Sequence, residues 1–207
     1  MSQINIESPK HCSKREFCIH KKLFFAVVAF LFSILLALIF IVWISLHPSR
    51  PEFSLSEAKI NQLNLFTAHL LYSSIQLTLL SKNPNKKIGI YYDEMQVFAS
   101  YKGQQITVYT SLPPFYQGHE DTNVLSASLT GNGLAVAPSV VYFVQRDQSS
   151  GKLVLALKAI GKLRWKVGTW VSGKYRYNVN CIVVVPFGGS SPLSSTRFKQ
   201  TQCSTTL

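Results

Sequence analysis

The chain changes its hydrophobic rhythm once. From Leu23 to Leu46, 24 consecutive residues contain no Asp, Glu, Lys or Arg, and no polar face recurs within them. A helix on a soluble core would show such a face. As a helix the run reaches about 36 Å, enough for a hydrocarbon layer of about 30 Å. Trp43 falls where an interfacial aromatic belongs, and His47-Pro48 close the run. The pattern predicts one transmembrane helix over 23–46. It is longer than the apolar core of a cleaved signal, and "HPSRP" offers no small-residue cleavage site, so a permanent signal anchor is expected.

After Pro51 the period becomes two. Ile75, Leu77 and Leu79 alternate with polar residues, as do Ile88, Ile90 and Tyr92. Met95, Val97, Ala99 and Tyr101 follow, then Ile106 and Val108, then Leu125, Ala127 and Leu129. Alternation of this kind marks half-buried strands. Turn signals divide them: Asn83-Pro84-Asn85, Lys102-Gly103, Pro113-Pro114, Gly131-Asn132-Gly133 (read as a hairpin turn), Ser149-Ser150-Gly151 and Ser172-Gly173. The expected fold is all-β, an antiparallel β-sandwich of immunoglobulin or fibronectin III kind over 53–207, preceded by the helix and a linker at 47–52. The apolar phase slips between Leu55 and Ala58, which predicts a bulge. Pro138 to Arg146 leans to strand.

Charge sets the expected topology. Lys10, Lys14, Arg15, Lys21 and Lys22 precede the apolar run closely, whereas only Arg50 and Lys59 follow it closely. This bias puts the amino terminus in the cytosol and 48–207 outside. The tail 1–22 carries 5 − 2 = +3 and the rest 16 − 7 = +9. The tail suits an anionic inner leaflet. Cys12 and Cys18 fall on the reducing side, and Cys18 is a candidate for S-palmitoylation or a plain thiol. Cys181 and Cys203 fall on the oxidising side and are candidates for a disulfide closing 203 − 181 = 22 residues. No Asn-x-Ser/Thr acceptor for N-linked sugar occurs.

Candidate chemistry is sparse. Outside the tail there are seven acids and the histidines His47, His69 and His119. His119-Glu120-Asp121 are adjacent, a spacing that rarely converges on one ion, so a solvated loop is expected and no metal or cofactor. Nothing pairs a nucleophile with a base, and no enzyme is expected. In "NPN", Pro84 has no N–H for a central ladder and biases Asn83 toward extended geometry; a strand-ending turn is the first reading, recognition the second. In "PPFYQG", Phe115 and Tyr116 form a stiff aromatic loop that closes one end of the sandwich or presents a protein-binding surface.

The stronger signal is a basic strand. Lys158, Lys162, Arg164 and Lys166 alternate with Ala159, Leu163, Trp165 and Val167. Lys174 and Arg176 continue the pattern outward, with Tyr175, Tyr177 and Val179 inward. Paired as a hairpin across 168–173, these place five or six cations on one sheet face. Like charges across strands repel, and an anionic partner would offset that. With the domain outside the cell, wall polysaccharide, an acidic protein or lipid headgroups qualify, and nucleic acid does not. A plain solubilising face is the alternative.

"NPNKKIGIYYD" (83–93), "LPPFYQGHEDT" (112–122) and "GKLRWKVGTWVSGKYRYNVNC" (161–181) together resemble the plant NDR/HIN-like family, related to non-race-specific disease resistance and harpin-induced proteins. The matching positions include Asn83, Pro84, Asn85, Tyr91, Tyr92, Phe115, Tyr116, Gln117 and Gly118. "MSQINIESPKHC" and "CSTTL" resemble one subgroup. The resemblance implies a group 2 late-embryogenesis-abundant domain, a plasma-membrane location that in some members concentrates at plasmodesmata, and no known catalysis. It implies a role in defence, stress or passage of solutes between cells. The alternative is a protective domain for membrane or wall under water stress.

Overall fold

The computed structural model describes residues 13–45, 48–66, 69–186 and 197–207. They form two compact units, Met1–His47 and Pro48–Leu207. In the first, α1 (Ser13–Ser45) is one unbroken helix. Its stretch Lys21–Phe40 is long and apolar enough to cross a membrane, as a single-pass protein requires. The helix begins ten residues before the apolar run, 23 − 13 = 10, so Lys14, Arg15, Lys21 and Lys22 are helical too. Cys18 lies on α1, but its side chain is outside the described residues, as is Cys12.

The second unit is a two-sheet antiparallel sandwich. Its strands are β1 (Glu52–Phe66), β2 (Leu70–Lys82), β3 (Gly89–Tyr101), β4 (Gln104–Gln105), β5 (Thr110–Leu112), β6 (Phe115–Gln117) and β7 (Thr122–Ala135). After helix α2 (Pro138–Ser149) come β8 (Lys152–Val167), β9 (Trp170–Val171), β10 (Tyr175–Pro186), β11 (Arg197–Gln202) and β12 (Ser204–Thr206). One sheet runs β11-β1-β2-β7. The other runs β12-β10-β8-β3-β4, with β5 and β6 on the free side of β3 and β9 on β8. The alternating apolar positions meet between them: Phe53, Leu55, Ile75 and Leu79 from one sheet, Ile90, Tyr92, Val97, Leu157 and Leu163 from the other, all essentially inaccessible. Phe53 stacks on Tyr177 at 6.1 Å and meets Tyr92 edge-on at 6.1 Å, joining the sheets.

The bulge expected near Leu55 is present, with a register shift between Leu55 and Glu57. Three local expectations are corrected. Pro138–Arg146 is not a strand but the start of α2. Pro138 opens the helix, and Val140 and Val144, four residues apart, are its buried contacts. Its three valines suit a strand as well, but the spacing that decides is helical. Asp147 on α2 accepts a hydrogen bond from the Tyr101 hydroxyl at 2.7 Å, and Gln148 donates to the Leu63 carbonyl at 2.8 Å, which fixes the helix to both sheets. Gly131-Asn132-Gly133 is not a hairpin turn. It lies inside β7, where two residues oppose Tyr72 alone in a bulge and Gly133 has φ +66°. Ile106 and Val108 lie in no strand; they fall between β4 and β5, Ile106 buried and Val108 exposed.

Cys181 on β10 is bonded to Cys203, which sits where the chain passes from β11 in one sheet to β12 in the other. The Cys203 N–H also donates to the Phe53 carbonyl at 2.9 Å. The bridge closes a 22-residue loop, so Cys181→Ser is expected to lower unfolding stability by about 3 kcal/mol. Urea unfolding with and without reductant checks this. Wild type under reductant should match the variant; a variant as stable as the oxidised wild type would refute the assignment.

Candidate functional site

The basic residues lie on the outer face of the second sheet, but that face is not uncompensated. β10 pairs with β8, Arg176 standing opposite Lys162, and β8 pairs with β3 on its other side. The register between β3 and β8 shifts between Tyr92 and Glu94. Regular alternation would turn one of Asp93 and Glu94 inward. The bulge turns both toward the basic face. Arg164 grips Asp93 through two parallel bonds of 2.6 and 2.8 Å, Lys162 reaches Glu94 at 3.0 Å, and Lys174 stands 4.0 Å from Asp93. The expected cross-strand repulsion is thus largely met from within the fold. Lys158 lies mid-strand between uncharged Phe98 and Asn180.

The Arg164 guanidinium, by hydrogen bonding first and charge second, holds the Asp93 carboxyl below its ordinary range, while burial opposes the shift. A carboxylate that ionises more readily folded than unfolded adds stability above its unfolded pKa of about 3.9 and loses it as pH falls through the depressed folded value. Asp93→Asn is therefore expected to be less stable than wild type near about pH 7, with the gap closing below about pH 3. Paired urea titrations at the two pH values check this. A gap that widens in acid would contradict it.

At one end of this face the aromatics of the two motifs meet. Tyr91 and Tyr116 face each other at 4.7 Å, and the Lys166 ammonium lies 5.6 and 5.1 Å from their centroids. Tyr116 is exposed, its ring covering Gly89, whereas Phe115 turns inward and stacks on Tyr92 at 4.5 Å. Phe115 thus closes this end of the sandwich, while Tyr116 stays at the surface. Tyr175, expected inward, is half exposed because β10 only begins there.

Beneath the loop, Asn83, Asn85 and Gln117 form a buried polar knot. Asn83 Nδ2 donates to the carbonyls of Ile88 and Gly118, each at 2.7 Å. Its Oδ1 accepts from the Asn85 backbone and side chain at 3.1 and 2.9 Å. Asn85 exchanges two 2.8 Å bonds with the Ser49 backbone. Gln117 donates to the carbonyls of Ser81 and Asp121 at 2.6 and 3.0 Å and accepts from Tyr92 and Ser81. Burial pushes the Tyr92 hydroxyl pKa up, keeping it a neutral donor. Pro84 is half-buried between the two asparagines. His119 and Glu120 are exposed, and the Glu120 N–H closes on the Asn85 carbonyl at 3.1 Å. Asn83, Pro84, Asn85, Gln117 and Gly118 thus hold one end of the sandwich together.

Midway along the face a groove of about 420 Å³ opens over Gly161. Glu94, Lys162 and Arg176 line it with Gln96 and Asn178, above apolar Ile160. Cations, amides and one carboxylate around an apolar floor suit a partner carrying carboxylates and hydroxyls. Among the described residues no group of three or more His, Cys, Asp or Glu side chains is placed to hold a metal ion.

A family described as "Late embryogenesis abundant protein" matches residues 78–182, which hold Asn83, Asn85 and Gln117 of the knot, the aromatic loop and the groove residues from Glu94 to Asn178. Over its whole length the chain is 57% identical to NDR1/HIN1-like protein 26 of Arabidopsis thaliana, covering 100% of both. The chain belongs to the NDR1/HIN1-like family. NDR1/HIN1-like protein 1 of the same plant is 40% identical, covering 83% of this chain and 82% of its own. NDR1/HIN1-like protein 12 is 43% identical over 75% and 73%. Two solved structures, one of an Archaeoglobus fulgidus protein and one of an Arabidopsis thaliana protein, overlap at TM-scores of 0.34 and 0.36. Their identities are 14% and 12%, over 65% and 70% of this chain and 98% and 87% of theirs. Neither overlap is close enough to bear on the fold. The NDR1/HIN1-like and late-embryogenesis-abundant families are not known as enzymes, and membership supports a defence- or stress-related membrane protein.

Proposed function

We propose that this NDR1/HIN1-like protein is a non-enzymatic, single-pass plasma-membrane protein, its amino terminus cytosolic and its sandwich outside. It acts by binding at the cell wall or plasmodesmata, in defence signalling or control of solute passage between cells. The partner is acidic: wall polysaccharide rich in uronate, or an acidic protein surface. The observation that carries this is the groove over Gly161, where Arg176 and Lys162 stand side by side above an apolar floor. A uronate chain offers carboxylates to the cations and hydroxyls to Gln96, Asn178 and Glu94.

The test is binding of polygalacturonate to the full chain in nanodiscs. Affinity should fall with salt, and Lys162→Gln/Arg176→Gln should weaken it roughly tenfold, about 1.4 kcal/mol. Both sites lie on the sheet surface, so folding should survive. Binding that ignores both salt and the double variant would reject the proposal. The late-embryogenesis-abundant match favours protection of membrane or wall under water stress as the second reading. Uniform membrane labelling with protection on drying, rather than puncta across walls, would distinguish it.

A further inference from the structure

The groove lies on the face of the sandwich; a different surface, its stalk end, has another composition. Asn85 pins Ser49 to this end, and Glu52 pairs with Lys82 there. On the second sheet the same end is marked by Gly89, opposite Lys166, where β3 begins. The β8–β9 hairpin runs on past that point, so Trp170, opposite Val167, projects beyond the sheet and is 62% exposed. Tyr116 is exposed over Gly89, and Lys82, Lys86 and Lys87 are exposed around Asn85. With Arg50 and Lys166 these make five cations against Glu52, Glu120 and Asp121, 5 − 3 = +2. This end thus exposes a Trp and a Tyr, with Lys166 over the Tyr116 ring and further lysines on the same end. It matches the headgroup layer of a bilayer, where an amphipathic ring and a long cationic side chain each satisfy both of their ends.

Covalent reach supplies the second argument, resting on the reading of α1 as membrane-spanning. The apolar run ends at Leu46, two Cα steps before Pro48. Fully extended, those steps cover about 7 Å, comparable to the thickness of one headgroup layer. The end of the sandwich that holds Pro48 and Ser49 is therefore kept at headgroup depth or just above it. We infer that this end is a lipid-docking surface: Trp170 and Tyr116 enter the headgroup region of the same membrane while Lys86, Lys87 and Lys166 engage its phosphates.

Tryptophan quenching in the full-length chain, reconstituted in phosphatidylcholine/phosphatidylglycerol nanodiscs, tests this. The chain has three tryptophans; Trp165 is buried in the sandwich, and Trp43 lies on α1. Subtracting the emission of Trp170→Phe isolates Trp170. The inference expects a blue-shifted Trp170 component that lipids brominated near the headgroup quench and acrylamide reaches poorly. Replacing Lys86, Lys87 and Lys166 together by Gln should lower that quenching. A Trp170 component open to acrylamide and insensitive to bromine overturns the inference, and full quenching in the triple variant overturns its electrostatic part. Trp43 separates the two layers of the argument. If lipid brominated near the headgroup quenches Trp43, the interfacial residue of α1, while Trp170 stays in water, docking alone fails; if Trp43 escapes bromine at every depth, the membrane-spanning reading fails with it.

Discussion

Asn83→Ala is expected to destabilise the sandwich by about 4 kcal/mol, more than its size suggests. The side chain is fully buried and all four of its bonds go to groups with few other choices: the Ile88 and Gly118 carbonyls and the Asn85 backbone and amide N–H groups. Each buried polar group left without a partner costs about 1–3 kcal/mol. Four such groups would cost about 4–12 kcal/mol, and the low end is expected because the Gly118 carbonyl is only partly buried and can recruit water. In a domain of this size the loss corresponds to a midpoint lowered by about 8–16 °C. Thermal and urea unfolding of the full chain in micelles read it. Asn83→Asp is a sharper probe. It keeps the shape but points carboxylate oxygens at two carbonyls, so its penalty should shrink in acid, where protonation restores a donor. A loss under about 1 kcal/mol for alanine would show that the groups bonded to Asn83 find other partners, and would refute the prediction.

Gly161→Ala is expected to cost about 3–4 kcal/mol, above the usual range for overpacking. Gly161 pairs with Met95 across the β3–β8 ladder, directly beside the bulge. An added Cβ would run into the carbonyl group of Glu94 and reach within 2.8 Å of the Tyr177 hydroxyl. Backbone cannot step aside as a flexible side chain can, so the strands must separate. That separation disturbs the pairs of Lys162 with Glu94 and Arg164 with Asp93, and it lifts the floor of the groove. Stability and polygalacturonate binding should therefore fall together. Gly89→Ala is the control. Its Cβ would meet the ring of Tyr116, an exposed side chain free to swing outward, and about 1 kcal/mol or less is expected. Equal effects at Gly89 and Gly161 would refute the distinction between side-chain and backbone obstruction.

The acids opposite the basic strand show where reading along a chain runs short. Apolar residues fall on even numbers through Ile88, Ile90 and Tyr92, then on odd numbers from Met95 to Tyr101. The change of phase marks the bulge at Asp93 and Glu94, so the signal was present. Its meaning was not, because only the pairing of β3 with β8 brings those acids to Arg164 and Lys162, some 70 residues on. Helix α2 failed for a local reason: nine residues rich in valine and aromatics satisfy either period. The asparagine turn was legible as a turn, but its links to Ser49, Gly118 and Asp121 join three distant stretches and leave no pattern in any one of them.

The division into an apolar helix and an alternating-strand domain, the sandwich class and the basic face were all legible along the chain. Each is written in neighbours a few residues apart, as period, charge or turn chemistry. Which cations are compensated, how the asparagines are satisfied and where the groove and the exposed Trp170 lie came only with the packing of the two sheets. Those depend on register between strands far apart in the chain, and a shift of one residue in a sheet turns every side chain to the opposite face.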